Sequence, residues 1–201
     1  MTTSVVYRSA LAYELLMHAL YGRHYDDRLG AVAASIPPGS SVLELCCGPG
    51  TLYERHLRHR TSHYIGVDAN ERFLARLRRR GVDARRIELS IPATPLPHAD
   101  VVLMQASLYH FLPRAEEIVD RMLGAARDRV VVSEPIRNLA SSRLPLIGRI
   151  GRRAADPGTG GEGHGQRFTQ SSLDALMSRY SVIEAFTIPG GREKVYVLSA
   201  Q

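Results

Sequence analysis

Apolar residues along this chain fall into short runs separated by stretches at helical spacing, the alternation expected of a parallel sheet with crossover helices. Residues 7–36 read as one or two amphipathic helices: Leu11, Leu15, Met17 and Leu20, then Leu29, Val32, Ala33 and Ile36, recur near helical spacing with a break around Gly22. Pro37-Pro38-Gly39 stops the helix and launches a first strand over residues 41–46. A helix over 52–60 and a second strand over 64–67, ending at Asp68, come next. Asn70 is the expected N-cap of a helix carrying Phe73, Leu74 and Leu77, closed by Gly81. Residues 87–90 predict a short third strand. A turn with Pro92, Pro95 and Pro97 leads to a fourth over 101–105. The helix after Pro113 carries Ile118, Val119, Met122 and Leu123 on one face, and residues 129–133 predict the fifth strand.

The rhythm then breaks. Residues 138–166 hold a weak helical pattern and then Asp156-Pro157-Gly158-Thr159-Gly160-Gly161-Glu162-Gly163-His164-Gly165. So many glycines cost much backbone entropy to order, so 154–167 is expected to be a mobile loop. Thr169 should cap a helix through Leu173, Leu176 and Met177. Two strands, 182–188 and 194–198, are joined by Pro189-Gly190-Gly191, a turn of hairpin type, so the last strand should run antiparallel.

With 201 residues, one α/β domain with a full core is expected. No apolar stretch approaches the roughly 20 residues of a bilayer-spanning helix, and the first residues lack an export-signal pattern. A cytoplasmic protein without membrane contact is the expectation. The two cysteines, Cys46 and Cys47, are adjacent on the predicted first strand. Their side chains should point to opposite faces, as buried thiols rather than a disulfide. The net charge of +6 comes almost wholly from arginine, Lys194 being the only lysine. The densest cluster, Arg76, Arg78, Arg79, Arg80, Arg85 and Arg86, surrounds a predicted helix end, where cations favour the dipole. Nucleic acid is therefore not the expected partner.

The chemistry concentrates after the first strand. Gly48 and Gly50 let the backbone pass close to a ligand at the start of a helix, although a tight strand-to-helix turn would use glycines equally. Asp68 ends the next strand, where dinucleotide folds place the acid that accepts from two sugar hydroxyls. It could instead cap the following helix, but Asn70 can fill that role. The third glycine of a G-x-G-x-x-G run would fall on Tyr53, which counts against a nicotinamide dehydrogenase.

Val42-Leu43-Glu44-Leu45-Cys46-Cys47-Gly48-Pro49-Gly50 resembles the first motif of the class I S-adenosylmethionine-dependent methyltransferases. Tyr64-Ile65-Gly66-Val67-Asp68-Ala69-Asn70 resembles their second. The strands Asp100-Val101-Val102-Leu103-Met104-Gln105 and Val130-Val131-Val132-Ser133-Glu134-Pro135 stand where later motifs do. The resemblance covers about residues 36–200. It implies a Rossmann-like three-layer α/β sandwich with a seven-stranded, mostly parallel sheet and an antiparallel last strand inserted beside the fifth. The single domain 1–201 would then comprise a helical cap (1–36), a cofactor-binding half (37–137) and a substrate-side half (138–201).

The resemblance implies S-adenosylmethionine as cofactor and S-adenosylhomocysteine as product. Glu44 would lie near the methionine amino group, with Cys46, Gly48 and Gly50 under the cofactor. Asp68 would hold the ribose hydroxyls, Ala69 would line the adenine pocket, and Gln105 and Ala106 would flank the methionine portion. Two departures stand out. Cys46 replaces the first glycine of the motif, and the acid that usually follows the third strand has no match, Ser90 or Ile91 standing near its place.

Ligands of doubly wound sheets lie beyond the carboxyl ends of the strands. That directs attention to Gln105-Ala106-Ser107-Leu108-Tyr109-His110-Phe111. His110 is a candidate general base or a group that only shapes the pocket. Glu134 is the second catalytic candidate. Tyr21, His24 and Tyr25 on the N-terminal helices resemble the segment that covers the cofactor in small methyltransferases, or form a plain helix surface. Tyr109, and His164 and Arg167 in the glycine-rich segment, complete the candidate acceptor contacts; that segment is a lid or an ordinary loop.

No Asn-Pro-Pro-Tyr-like run follows the fourth strand, and no clustered acids offer a metal site. Methyl transfer to oxygen or nitrogen of a small molecule, without a metal, is the expected reaction, by a monomer or homodimer. An RNA or protein methyltransferase, or a cofactor-binding protein of this fold that transfers no methyl group, are the alternatives.

Overall fold

The computed structural model describes residues 10–92, 94–137 and 166–200. Two helices come first, α1 (Ala10–Tyr21) and α2 (His24–Ala34). They are broken at Gly22, whose φ of +55° is left-handed. Strand β1 (Ser41–Leu45), a short π-helical segment (Tyr53–Leu57) and β2 (His63–Asp68) follow, then α3 (Glu71–Arg78) and β3 (Asp83–Arg86). Next are β4 (Ala99–Gln105), a 3₁₀ turn (Leu108–Phe111), α4 (Ala115–Ala125) and β5 (Ala126–Pro135). The described chain closes with α5 (Gln170–Met177), β6 (Val182–Thr187) and β7 (Glu193–Ser199).

The caps follow the residues that promised them. Asn70 accepts from the N–H of Arg72 at the start of α3. Thr169 and Ser172 form a reciprocal capping box on α5. The sheet runs β3-β2-β1-β4-β5-β7-β6. β1 to β5 pair in parallel, and β7 lies antiparallel between β5 and β6. The Rossmann-like expectation, including the inserted last strand, is met.

Strand alternation sends side chains to two cores. Leu43, Leu45, Val102, Met104, Val130 and Val132 meet α4 and α5 through Ile118, Val119, Met122, Leu173 and Met177. Val42, Val101, Leu103 and Val131 meet α2 and α3 through Tyr25, Leu29, Val32, Leu74 and Leu77. Each enclosed Leu, Val or Met contributes about 1.5–3 kcal/mol relative to exposure, which holds the helices over both faces.

Three expectations need correction. The third strand is Asp83–Arg86, not 87–90. Ala84 is its sole buried residue, so it carries little apolar signal; Leu89, which suggested a strand, is buried from a turn. The fifth strand is longer than expected, Ala126–Pro135: Ala126 pairs with Ala99 of β4 at its start, and Glu134 and Pro135 pair with β7 at its end. Cys46 and Cys47 stand in the turn after β1 rather than on it. Both are free thiols, Cys46 packing on one core and Cys47 in the other. The weak helix and most of the glycine-rich loop, His164 included, lie outside the described residues.

Candidate functional site

Strand order reverses between β1 and β4, and the two chain exits there share an unusual backbone. Cys46 leaves β1 at φ +55° and Ala106 leaves β4 at φ +51°, the only two non-glycine residues with positive φ among the described residues. The left-handed region costs a residue with a Cβ about 1–2 kcal/mol. Hydrogen bonds to the neighbouring strands hold both turns: Cys47 N–H donates to the Val67 carbonyl at 3.0 Å, and Ala106 N–H to the Ser133 carbonyl at 2.7 Å. Local strain kept by its surroundings concentrates at ligand sites. Glycine at the Cys46 position would adopt this φ freely, the physical meaning of the departure seen in the sequence.

Below this crevice the turn continues through Gly48 at φ +56°, where an added Cβ would meet nothing within 4 Å. The Gly48 N–H donates to Asp68 Oδ2 at 2.9 Å, and the Asn70 N–H to Asp68 Oδ1 at 2.7 Å. Asp68 accepts from the Ala69 backbone N–H as well, so three backbone donors let it brace the turn. Burial raises its pKa. A Cβ at Gly50 would collide with Leu77 of α3; this glycine permits close helix packing. Ala69, next to Asp68, is exposed.

Glu44 is 4% exposed and accepts from the Tyr64 hydroxyl at 2.6 Å. Burial lifts its pKa to about 7. On β4, Gln105 has its side-chain nitrogen buried with no partner.

Glu134 is fully enclosed. Its Oε1 accepts the N–H groups of Ser107 and Leu108, both at 2.7 Å, while Oε2 has no partner. Burial raises its pKa to about 8. Glu134 therefore does not reach the open crevice as the expected second catalytic group; it positions the turn bearing Tyr109 and His110. Those two rings lie 4.1 Å apart, and the Arg167 guanidinium stacks 3.7 Å over Tyr109. Three of the expected acceptor-side residues thus converge.

The N-terminal residues behave differently. Tyr25 is 1% exposed, in edge contact with His18, and its hydroxyl is hydrogen-bonded to Thr51. It is a core residue of the cap, a correction to its expected acceptor contact, because its ring lies on the inner face of α2. His24 bonds Asp27 at 3.1 Å and packs against Gly190 of the β6–β7 hairpin, an anchoring contact. Tyr21 is half-buried, with the Arg28 guanidinium 4.7 Å over its ring.

Behind that pair lies a buried network that no sequence motif marks. Buried Arg28 forms an ion pair with buried Glu193, which also accepts from Ser133 Oγ at 2.9 Å. The signal was present: Arg28 shares the inner stripe of α2 with Tyr25 and Val32, and Glu193 has the parity of Val195 and Val197.

Among the described residues no three His, Cys, Asp or Glu side chains gather as metal ligands do, and no helix is long and apolar enough to cross a membrane. Within the arginine cluster, Arg78, Arg80 and Arg85 pair with Glu71, Glu54 and Asp83.

Residues 42–129 match the family model described as a methyltransferase domain. No curated protein sequence matches the chain. Among solved structures it is similar to the magnesium protoporphyrin IX methyltransferase of Synechocystis, at 14% identity and a TM-score of 0.64, covering 96% of each chain. It is also similar to a TehB-like S-adenosylmethionine-dependent methyltransferase of Corynebacterium glutamicum, at 14% identity and 0.63, covering 95% of this chain and 96% of the other. The N-methyltransferase NodS of Bradyrhizobium japonicum aligns at 13% identity and 0.59, over 90% of this chain and 96% of its own. At such identities these likenesses are ones of fold.

Proposed function

We propose that this chain is a class I S-adenosylmethionine-dependent methyltransferase, and that it methylates oxygen or nitrogen of a small-molecule acceptor in the cytoplasm without a metal ion. The observation that carries the reading is the pair of left-handed exits, Cys46 and Ala106, flanking the open cradle at Gly48 where strand order reverses.

The residues present fit the cofactor. Gly48 leaves room for a ligand against the backbone. Asp68, fixed by the backbone N–H groups of Gly48, Ala69 and Asn70, stands at the strand end where the ribose hydroxyls would lie, and Ala69 is open beside it for the adenine. The unpartnered nitrogen of Gln105 is a buried donor awaiting an acceptor, as the methionine portion would supply. Glu44, its pKa about 7, backs the turn beneath the methionine amino group. When bound, the cofactor supplies a methyl group on a sulfonium, open to in-line displacement.

Alignment is then the chain's main task. His110 takes the acceptor proton, Tyr109 and Arg167 hold the acceptor, and Glu134 fixes the turn that presents His110. Tyr21 closes the crevice from the cap.

The O- and N-methyltransferases of this fold bear on the choice of acceptor atom only by analogy. The test is transfer of labelled methyl from S-adenosylmethionine to a panel of phenols and amines, with EDTA present. Turnover that falls about 10²–10⁴-fold in His110→Ala at saturating cofactor is the expected result. Undiminished turnover removes His110 as base; loss of activity in EDTA removes the metal-free mechanism; transfer only to RNA or protein overturns the acceptor class.

A further inference from the structure

We propose that Arg167, stacked on Tyr109, selects an acceptor that carries a carboxylate. The inference rests on the methyl-transfer reading above and names the chemistry of the acceptor.

Topology sets the position. β7 is antiparallel to both β5 and β6, so β6 runs parallel to β5. The helix α5 that feeds β6 therefore begins at the carboxyl edge of the sheet, the ligand edge of such folds. Arg167 lies two residues before the N-cap Thr169, and its neighbour Phe168 is 4% exposed, anchored in the same core as Leu108. The arginine is thus tethered to the turn after β4.

Its side chain is oriented as well. The guanidinium carbon lies 3.7 Å over the Tyr109 ring, and Nη1 donates to the Gln166 carbonyl at 3.0 Å. Stacking occupies the face of the guanidinium and leaves its remaining in-plane N–H groups for an acceptor. Among the described residues no carboxylate pairs with Arg167. Glu134, beneath the turn that carries Tyr109, is engaged with the Ser107 and Leu108 amides. A guanidinium that pairs with no carboxylate of the described residues thus stands at the ligand edge over Tyr109, whose ring centroid lies 4.1 Å from that of His110.

One planar guanidinium matches one carboxylate through two parallel hydrogen bonds. An acceptor anchored in this way turns its nucleophilic oxygen or nitrogen toward His110 with its far end fixed, the orientation an in-line displacement requires. The cofactor also carries a carboxylate, and the experiment separates the two sources.

Calorimetry first measures S-adenosylhomocysteine binding to the whole chain and to its Arg167→Gln and Arg167→Lys variants. The protein loaded with S-adenosylhomocysteine is then titrated with benzoate, 4-hydroxybenzoate, 4-aminobenzoate and indole-3-carboxylate, each against its carboxamide. The proposal expects at least one acid to bind roughly ten- to a hundredfold tighter than its amide. That ratio should collapse in Arg167→Gln and partly return in Arg167→Lys, with S-adenosylhomocysteine affinity constant throughout. Equal binding of acid and amide, no acid binding anywhere in the panel, or a ratio unchanged in Arg167→Gln each overturns it. Weaker S-adenosylhomocysteine binding in Arg167→Gln overturns it differently, by assigning the guanidinium to the cofactor's carboxylate. Failure of the unaltered protein to bind S-adenosylhomocysteine would instead count against the underlying reading.

Discussion

Glu134 reaches from β5 beneath the turn after β4 and accepts the Ser107 backbone N–H at 2.7 Å, with the Leu108 N–H on the same oxygen. A carboxyl with no exposure there binds its proton up to about pH 8, against 4.5 in the free side chain. Between those values the folded protein holds a proton that the unfolded chain has released. Stability therefore falls as pH rises from about 4.5 to about 8 and then levels. Glu44 adds the same sign up to about pH 7. Glu134→Gln stays neutral and keeps the acceptor oxygen. Its urea midpoint should decline less than that of the unaltered protein between pH 5 and 8.5, and parallel declines would contradict the assignment. Glu134→Ala strands two buried donors, each costing roughly 1–3 kcal/mol.

Cys46 carries a strained φ that glycine would relieve. Cys46→Gly gains back the left-handed penalty of about 1–2 kcal/mol, less the larger unfolded-state entropy of glycine. A small rise in Tm is expected, whereas Cys46→Val should lower Tm. Scanning calorimetry of the pair reads the sign, and a stabilised valine variant would refute the strain argument.

Gly48 and Gly50 should separate cleanly. Both have positive φ, so alanine at either costs about 1 kcal/mol in backbone strain. Only Gly50→Ala drives a methyl group into Leu77, adding roughly 1–3 kcal/mol of overpacking. Denaturant melts should rank Gly50→Ala well below Gly48→Ala; equal midpoints would argue against the close approach of α3.

Arg28 and Glu193 lie together in the interior. Removing one partner leaves a buried charge uncompensated, so Arg28→Met or Glu193→Gln should each cost about 3–5 kcal/mol. The double variant should lose less than the sum of the two. Additive losses in a double-mutant cycle would show that the pair is not coupled.

Most of this fold was legible because its signals are local. Asn70 and Thr169 announce caps, Gly22 a break, and Pro189-Gly190-Gly191 a hairpin, each through backbone chemistry that tertiary context rarely overrides. The third strand was not, since four residues with one buried side chain leave no period to read, and only pairing to β2 defines it. In the site, Gly48 and Asp68 were legible from type and spacing. Glu134 and Tyr25 were located but their environment was not. Burial of a carboxyl under a turn, or of a phenol against Thr51, depends on elements distant in sequence. For the Arg28–Glu193 pair, stripe and parity mark each residue as facing inward, but only the closed fold brings α2 and β7 together and makes them partners.

A cofactor lying over Gly48 between Cys46 and Ala106 is tested most directly by calorimetric titration with S-adenosylhomocysteine. The unaltered protein should bind one equivalent, and Gly48→Ala, which projects a methyl group into the open cradle, should bind it at least about tenfold more weakly while remaining folded. Absence of binding to the unaltered protein, or equal affinity in a folded Gly48→Ala, would contradict it.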